Sequence, residues 1–134
     1  MAMIRTDNAL DDLLVRGESD LIQMLEVESC VRRYVGDNIQ RSEVVPDVIN
    51  VVTTMLTLGL FIPGTTRNIT RDAKPFLDFV PWSGRVEEQL QRIKHEYIKL
   101  GAELNLGDIA WFALTPLGRK RALDIINTEQ QRRP

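Results

Sequence analysis

Few residues in this chain have the types and spacing that enzymatic chemistry requires. His95-Glu96 matches the first half of a zinc-protease helix, but Lys99 stands where the second histidine would be. The chain has 1 His and 1 Cys, so nucleophilic triads and zinc sites lack parts. Cys30 is expected on the polar side of a helix, as an ordinary thiol. Neither GxGxxG nor GxxxxGK followed by Ser or Thr occurs. We therefore expect no enzyme, no metal and no cofactor, although a carboxylate-only site stays open.

Cations are concentrated in two segments of the second half of the chain. Residues 65–74 combine hydroxyl, amide and cationic side chains, which suit contacts with phosphate groups. Residues 119–121 lie in the first turn of a predicted helix, where their charge opposes the helix dipole and a bound anion would offset the cost. The alternative is that these side chains extend into water. The candidate contacts are Arg67, Asn68, Arg71, Lys74, Arg119, Lys120 and Arg121.

The charge of the whole chain hides an uneven distribution. Its 134 residues include 17 Lys plus Arg and 19 Asp plus Glu, a formal net charge of −2. Residues 1–66 carry 5 cations and 10 anions, whereas residues 67–134 carry 12 and 9. A uniformly basic coat for nucleic acid is excluded, but a local basic patch is not. An acidic start and the lack of a long apolar run predict a cytoplasmic protein without membrane contact.

Apolar spacing predicts two helices near the start of the chain. A short helix over residues 8–16 is expected to end at Gly17. An amphipathic helix is expected over residues 19–35, with Ser19 as its N-cap. On the longer helix, Glu28 is expected to pair with Arg32 across one turn.

A third helix is predicted over residues 42–58. Pro46 lies in its first turn, where proline is tolerated, and Gly59 follows its end. Residues 60–62 then form a short strand that Pro63 is expected to end.

The following segment contains turn formers, cations and aromatic residues. Residues 65–70 are expected to form a strand or one arm of a hairpin. Residues 76–82 are too apolar for a free linker, so we expect them to lie against the core. The alternative is an exposed docking patch for a protein partner, made by Phe76, Phe79 and Trp82.

A long amphipathic helix is predicted from residue 83 onward. Its apolar residues are spaced by 4, 3, 4, 3 and 4 positions, which is the seam of a coiled coil. Such a seam can join two copies of the chain in a homodimer, or it can pack inside its own domain, and the spacing leaves both open. The seam residues are Val86, Leu90, Ile93, Tyr97, Leu100 and Leu104.

The end of the chain returns to a strand and a helix. After a turn at residues 105–108, residues 109–114 are expected to form an apolar strand, and Thr115 is the N-cap of a final helix. This helix is expected to face inward through Leu117, Leu123 and Ile126. We predict one domain over residues 1–134, mainly α with a small antiparallel sheet, with frayed ends at residues 1–7 and 128–134.

Two short segments resemble winged-helix regulators of the MarR and PadR types. Residues 114–119, Leu-Thr-Pro-Leu-Gly-Arg, resemble their LTPxGR strand-to-helix junction, and residues 48–61, which include MLTLGLF, resemble the end of a recognition helix and the entry into the wing. The resemblance implies a winged-helix fold, here with an additional long amphipathic helix. It also implies a recognition helix in the major groove of DNA and a wing on the phosphates. The groove contacts would come from Asn50, Thr53 and Thr54.

The leading hypothesis is a small dimeric winged-helix protein that binds duplex DNA as a transcriptional regulator. The outward face of the third helix, however, has Glu43 and Asp47 and no Lys or Arg. Together with the apolar residues 76–82, this face motivates the alternative of a protein-protein interaction module without DNA binding.

Overall fold

The fold is mainly α-helical with one antiparallel sheet, as expected. The structure is a computed structural model, which describes residues 2–36, 38–100 and 109–132; the side chains of residues 2–7 and 132 are outside this description. The predicted turn at residues 105–108 and the seam residue Leu104 also fall outside the described residues.

Helices and strands alternate along most of the chain. The described elements are α1 (Ala2–Ser19), β1 (Ile22–Gln23), α2 (Met24–Val35), α3 (Arg41–Thr57), β2 (Phe61–Arg71), β3 (Lys74–Pro81), α4 (Val86–Leu100), β4 (Trp111–Leu114) and α5 (Pro116–Arg132). Residues 2–7 and 128–132, expected to be frayed, are helical in the structure.

The four strands form one sheet in the order β1-β4-β2-β3, and every neighbouring pair is antiparallel. The inner part of β2, residues 61–64, pairs with β4, and its outer part, residues 64–71, pairs with β3. Pro63 was expected to end the strand, but β2 continues through it to Arg71. Proline removes only a donor: the carbonyl oxygen of Pro63 still accepts from the backbone N–H of Trp82 at 3.0 Å.

The first two helices differ in their bounds from the predicted ones. Gly17 lies inside α1 instead of ending it. A Cβ at this position would lie 3.0 Å from Leu114 Cγ and 3.1 Å from the Phe61 ring, so the glycine lets the helix pack closely on the sheet. Residues 19–23 do not continue into α2, because β1 intervenes and Gln23, not the predicted serine, is the N-cap.

The core lies between the helices and the inner part of the sheet. Its largest fully buried side chains include Tyr97, Phe61, Phe112, Leu13 and Leu14. Cys30 was predicted on a polar face but is 1% exposed within this core, and burial raises the pKa of its thiol.

The last helix faces inward mainly through residues other than those predicted; of the three predicted residues, Ile126 is half-buried. Leu117 and Leu123 are 54% and 41% exposed. Instead Gly118 and Ala122 are buried and Ile125 packs on the core, because these three residues share one helical face.

The two segments that carry the winged-helix resemblance contact each other. Thr115 donates through its backbone N–H to the Leu60 carbonyl at 3.0 Å and through its hydroxyl to the Gly59 carbonyl at 2.5 Å. The same hydroxyl accepts from the N–H of Gly118 at 3.0 Å, which confirms the predicted N-cap. A Cβ on Gly118 would lie 2.0 Å from the Leu60 oxygen, so only glycine permits this junction.

Candidate nucleic-acid interface

The hairpin formed by β2 and β3 extends away from the rest of the domain. From Thr65 to Arg71, β2 pairs with β3 alone among the described strands. No residue from 65 to 81 is buried. The predicted hairpin arm at residues 65–70 is therefore confirmed, and we call residues 65–80 the ribbon.

The strand register divides the ribbon into two faces. Directly opposite residues share a face, and residues two apart along a strand do as well. One face, here called the cationic face, carries Thr65, Arg67, Ile69, Arg71, Lys74, Phe76, Asp78 and Val80. The other, the neutral face, carries Thr66, Asn68, Thr70, Pro75, Leu77 and Phe79. The structure thus places Arg67, Arg71 and Lys74 together and Asn68 on the opposite side.

Two cations of the ribbon have defined contacts on their face. Arg67 Nε lies 2.9 Å from Asp78 Oδ2, in an exposed ion pair. The Arg71 guanidinium lies 5.3 Å from the centroid of the Phe76 ring. With Lys74 opposite Arg71 at the tip, the cationic face has three positive charges and one negative charge.

The apolar residues of β3 do not lie against the core as expected. Phe76 is 38% exposed and Leu77 52% exposed, because this edge strand has the core on neither face. Of the predicted docking residues, Phe79 is half-buried and Trp82 packs against the core. The Trp82 Nε1–H donates to Thr65 Oγ1 at 2.9 Å, so this ring is already engaged within the chain.

Beyond its hydrogen bond, Trp82 connects the base of the ribbon to α4. The Arg92 guanidinium lies over the Trp82 ring at 3.7 Å from its centroid, and Arg92 Nε lies 3.6 Å from Glu96 Oε1. No local sequence pattern pointed to this stack, because its two residues are brought together by the packing of α4.

An exposed stripe of α3 contains the predicted groove contacts. Asn50 and Thr53 are exposed, and Thr54 is half-buried. The Thr53 and Thr54 hydroxyls donate to the carbonyls of Ile49 at 2.7 Å and Asn50 at 3.0 Å. The same side of the helix also carries Glu43, exposed, and Asp47, half-buried.

The single cation of α3 is turned into the domain. Arg41 Nε lies 3.5 Å from Glu28 Oε1, and the Arg41 guanidinium lies over the Tyr97 ring at 4.8 Å from its centroid. Tyr97 donates its hydroxyl to Glu28 Oε1 at 2.5 Å. We call Glu28, Arg41 and Tyr97 the buried triad; it links α2, α3 and α4.

The environment of the triad keeps its phenol protonated. Burial, and then the hydrogen bond to Glu28, raise the pKa of Tyr97 well above its usual range, while Arg41 acts in the opposite direction. Glu28 was predicted on a helix border but is 8% exposed, and it contacts Arg41 and Tyr97; its pairing with Arg32 stays a prediction. Its spacing from the core residues Met24 and Val31 on the same helix was the signal for burial.

The apolar seam of α4 packs inside the domain at most of its described positions. Ile93 and Tyr97 are 2% and 1% exposed, and Leu90 and Leu100 pack on the core, whereas Val86 is 36% exposed. The structure therefore has the internal packing, and the buried seam residues are not available to a second copy. Association of two copies through other surfaces stays a prediction.

The packing of α4 also covers one side of α3. A cavity of about 170 Å³ is lined by Thr53 of α3 and Leu90 of α4. A second cavity is lined by Ser42 and Ile98. The end of α3 is thus beside the start of α4, and the two helices run antiparallel.

The cations of α5 point in different directions around the helix. Arg119 Nε lies 3.3 Å from Glu18 Oε2 of α1. Arg121 lines a groove with Asp11 and Asp124, and Lys120 is exposed. Residues 119–121 therefore do not form one anion site.

Two further observations concern the described residues alone. They contain no group of three or more His, Cys, Asp or Glu side chains that could hold a metal ion. None of their helices is long and apolar enough to cross a membrane.

The chain was compared with family models, with curated proteins and with solved structures. No match was found in any of the three comparisons.

Proposed function

We propose that this chain is a winged-helix protein that binds duplex DNA as a regulator, with the β2–β3 ribbon as its wing. The observation that carries the proposal is the cationic face of the ribbon. It presents Arg67, Arg71 and Lys74 on one side of a hairpin that no other described strand covers. A hairpin of this kind suits contact with the phosphate backbone. A DNA partner implies a cytoplasmic location.

The order of elements supports the same proposal. A helix, a short strand, two helices and a hairpin follow one another, as in winged-helix domains, and β4 lies between β1 and β2. The long helix α4 is inserted between the hairpin and β4. The contact of Thr115 with residues 59–60 gives the two resembling segments a shared structural role.

The experiment is a fluorescence-anisotropy titration of a labelled mixed-sequence duplex of about 30 base pairs. The wild-type chain should bind, and its affinity should fall as salt rises. The double variant Arg67→Ala/Arg71→Ala should bind roughly tenfold to a hundredfold more weakly near 0.1 M salt, and its salt slope should be smaller by about 2. Asp78→Asn should bind a few fold more tightly, because it removes the carboxylate that pairs with Arg67.

The matched control removes the same charge from α4. Lys94→Ala/Lys99→Ala removes as many charges as the ribbon variant, but from residues outside the ribbon. It should therefore leave the affinity for DNA within about twofold of wild type. Equal losses in the two double variants would show that net charge, not the ribbon, determines binding. Absence of wild-type binding in 50 mM salt contradicts the proposal.

A protein partner is the second candidate, favoured by the exposed apolar side chains of β3. Phe76 and Leu77 lie on opposite faces of the ribbon near its tip. Leu77→Ser should weaken binding to a protein partner and leave DNA affinity unchanged, because Leu77 is on the neutral face.

A further inference from the structure

The stripe of α3 that the fold would place in a DNA groove has the wrong charge for that role. Recognition helices contact bases mainly through residues near their N-terminus. In α3 this end offers Glu43 and Pro46, which are exposed, and Asp47, which is half-buried. Its single cation, Arg41, is held by Glu28 and Tyr97 instead. Insertion of α3 would therefore bring two carboxylates close to the phosphates.

The remaining side chains of that stripe have little capacity to read bases. The Thr53 and Thr54 hydroxyl hydrogens are donated to carbonyls of the helix itself, at 2.7 Å and 3.0 Å. Asn50 is the amide among the predicted contacts. One amide beside two carboxylates is a weak basis for groove recognition.

The ribbon has the dimensions that the major groove accepts. Its two strands are about 5 Å apart, and the seven pairs from Thr65 to Arg71 extend about 20 Å. The major groove of DNA is about 12 Å wide and admits a two-stranded ribbon, whereas the minor groove is about 6 Å wide. The ribbon can therefore enter the major groove along most of its free length.

We infer that the cationic face of the ribbon, not α3, lies in the major groove, and that Arg71 is its base-reading residue. This inference rests on the proposed function and specifies the part of duplex DNA that the chain reads. Arg71 is in the last residue pair before the turn, and its described ring contact, with Phe76, supports the guanidinium from one side. Arginine can donate two parallel hydrogen bonds to O6 and N7 of guanine.

The other cations of this face are suited to phosphates. Arg67 is held by Asp78 Oδ2 at 2.9 Å through Nε, and its remaining N–H groups can donate to phosphate oxygens. Lys74 is a point charge at the tip. Ile69 and Phe76, on the same face, can contact thymine methyl groups.

The test uses a duplex selected by the wild-type chain from a random pool, compared with the same duplex carrying single base substitutions. Arg71→Lys keeps the charge but loses the planar fork. It should bind mixed-sequence duplex within about threefold of wild type and lose at least tenfold in discrimination at one guanine. Methylation of that guanine at N7, which faces the major groove, should block wild-type binding.

Two controls make the test specific. Arg67→Lys should keep the discrimination between bases at every position of the duplex within about twofold of wild type, since we infer that Arg67 contacts a phosphate group. Asn50→Ala/Thr53→Ala should leave the preferred sequence unchanged. Preserved discrimination in Arg71→Lys, or a preference lost in the α3 variant, overturns the inference while DNA binding itself stands. Absence of wild-type binding to any duplex overturns the proposed function and this inference together.

Discussion

Under the proposed function, two regions of the molecule are candidates for the element that contacts DNA, and they are held in place differently. The helix α3 is packed by α2, α4 and the sheet, and its cation Arg41 is engaged in the buried triad. The ribbon is held by its own strand pairing, and its cations face outward. The comparison shows that α3, the helix that the winged-helix resemblance assigns to the groove, lacks the outward cations that the ribbon has. Loss of a contact of α3 should therefore lower the stability of the whole fold, whereas loss of a contact in the ribbon should change only the ribbon and the proposed binding to DNA.

The largest effect should follow from breaking the buried triad. Arg41→Ala removes the cation that pairs with the buried carboxylate of Glu28, which should lower the free energy of unfolding by about 3 kcal/mol. Chemical denaturation measures this value. Arg33→Ala is the matched control, because its pair with Asp12 is exposed, and it should cost less than about 1 kcal/mol. Similar losses in the two variants would remove the difference between the regions.

A smaller effect is expected for the hydroxyl of the triad. Tyr97→Phe removes the donor to Glu28 and should destabilise the fold by about 2 kcal/mol near neutral pH. The raised pKa of Tyr97 also predicts a dependence on alkaline pH. The stabilisation from the protonated phenol is fully present below the unfolded pKa of about 10, and it is lost as pH rises through the folded value.

Denaturation at several pH values checks that dependence. The difference in stability between wild type and Tyr97→Phe should shrink above about pH 10. A difference that stays constant to pH 11 would show that Tyr97 ionises with the same pKa in both states.

The smallest effect should be confined to the ribbon. Its turn consists of Asp72 and Ala73 at φ values of 52° and 62°, a conformation that alanine disfavours by about 1 kcal/mol. Ala73→Gly should therefore slow hydrogen exchange of the ribbon amides by roughly fivefold, measured by mass spectrometry, and leave α3 unchanged. Ala113→Gly in β4 is the control. It should destabilise the sheet, because the backbone at Ala113 has no positive φ for glycine to favour. Equal changes in exchange throughout the chain would show that the ribbon is not an independent unit.

Much of the fold could be predicted where local physical chemistry determines the structure. The N-cap at Thr115, the helix over most of residues 42–58 and the hairpin arm at residues 65–70 depend on neighbouring residues, and all three are present. The errors arose where a distant contact overrides a local preference. Gly17 was expected to end a helix, but it packs on Phe61 and Leu114.

The candidate site could be predicted in composition but not in arrangement. The cations at Arg67, Arg71 and Lys74 were identified from sequence, whereas their separation from Asn68 depends on the strand register. Similarly, residues 119–121 look like one cluster in sequence, but a helix turns by about 100° per residue and directs them to different neighbours.

The sequence by itself determined the fold class, most of the element types and the uneven charge, because apolar period, turn residues and ionisable groups act locally. Only the tertiary structure decided which ionisable groups are available to a partner. Arg41 is 13 positions after Glu28 along the chain, and Tyr97 is a further 56 positions on. The three residues meet because three helices pack together. The same packing pairs the cation of α3 inside the domain and leaves those of the ribbon in solvent. Burial and pairing depend on distant residues, so local spacing could not reveal them.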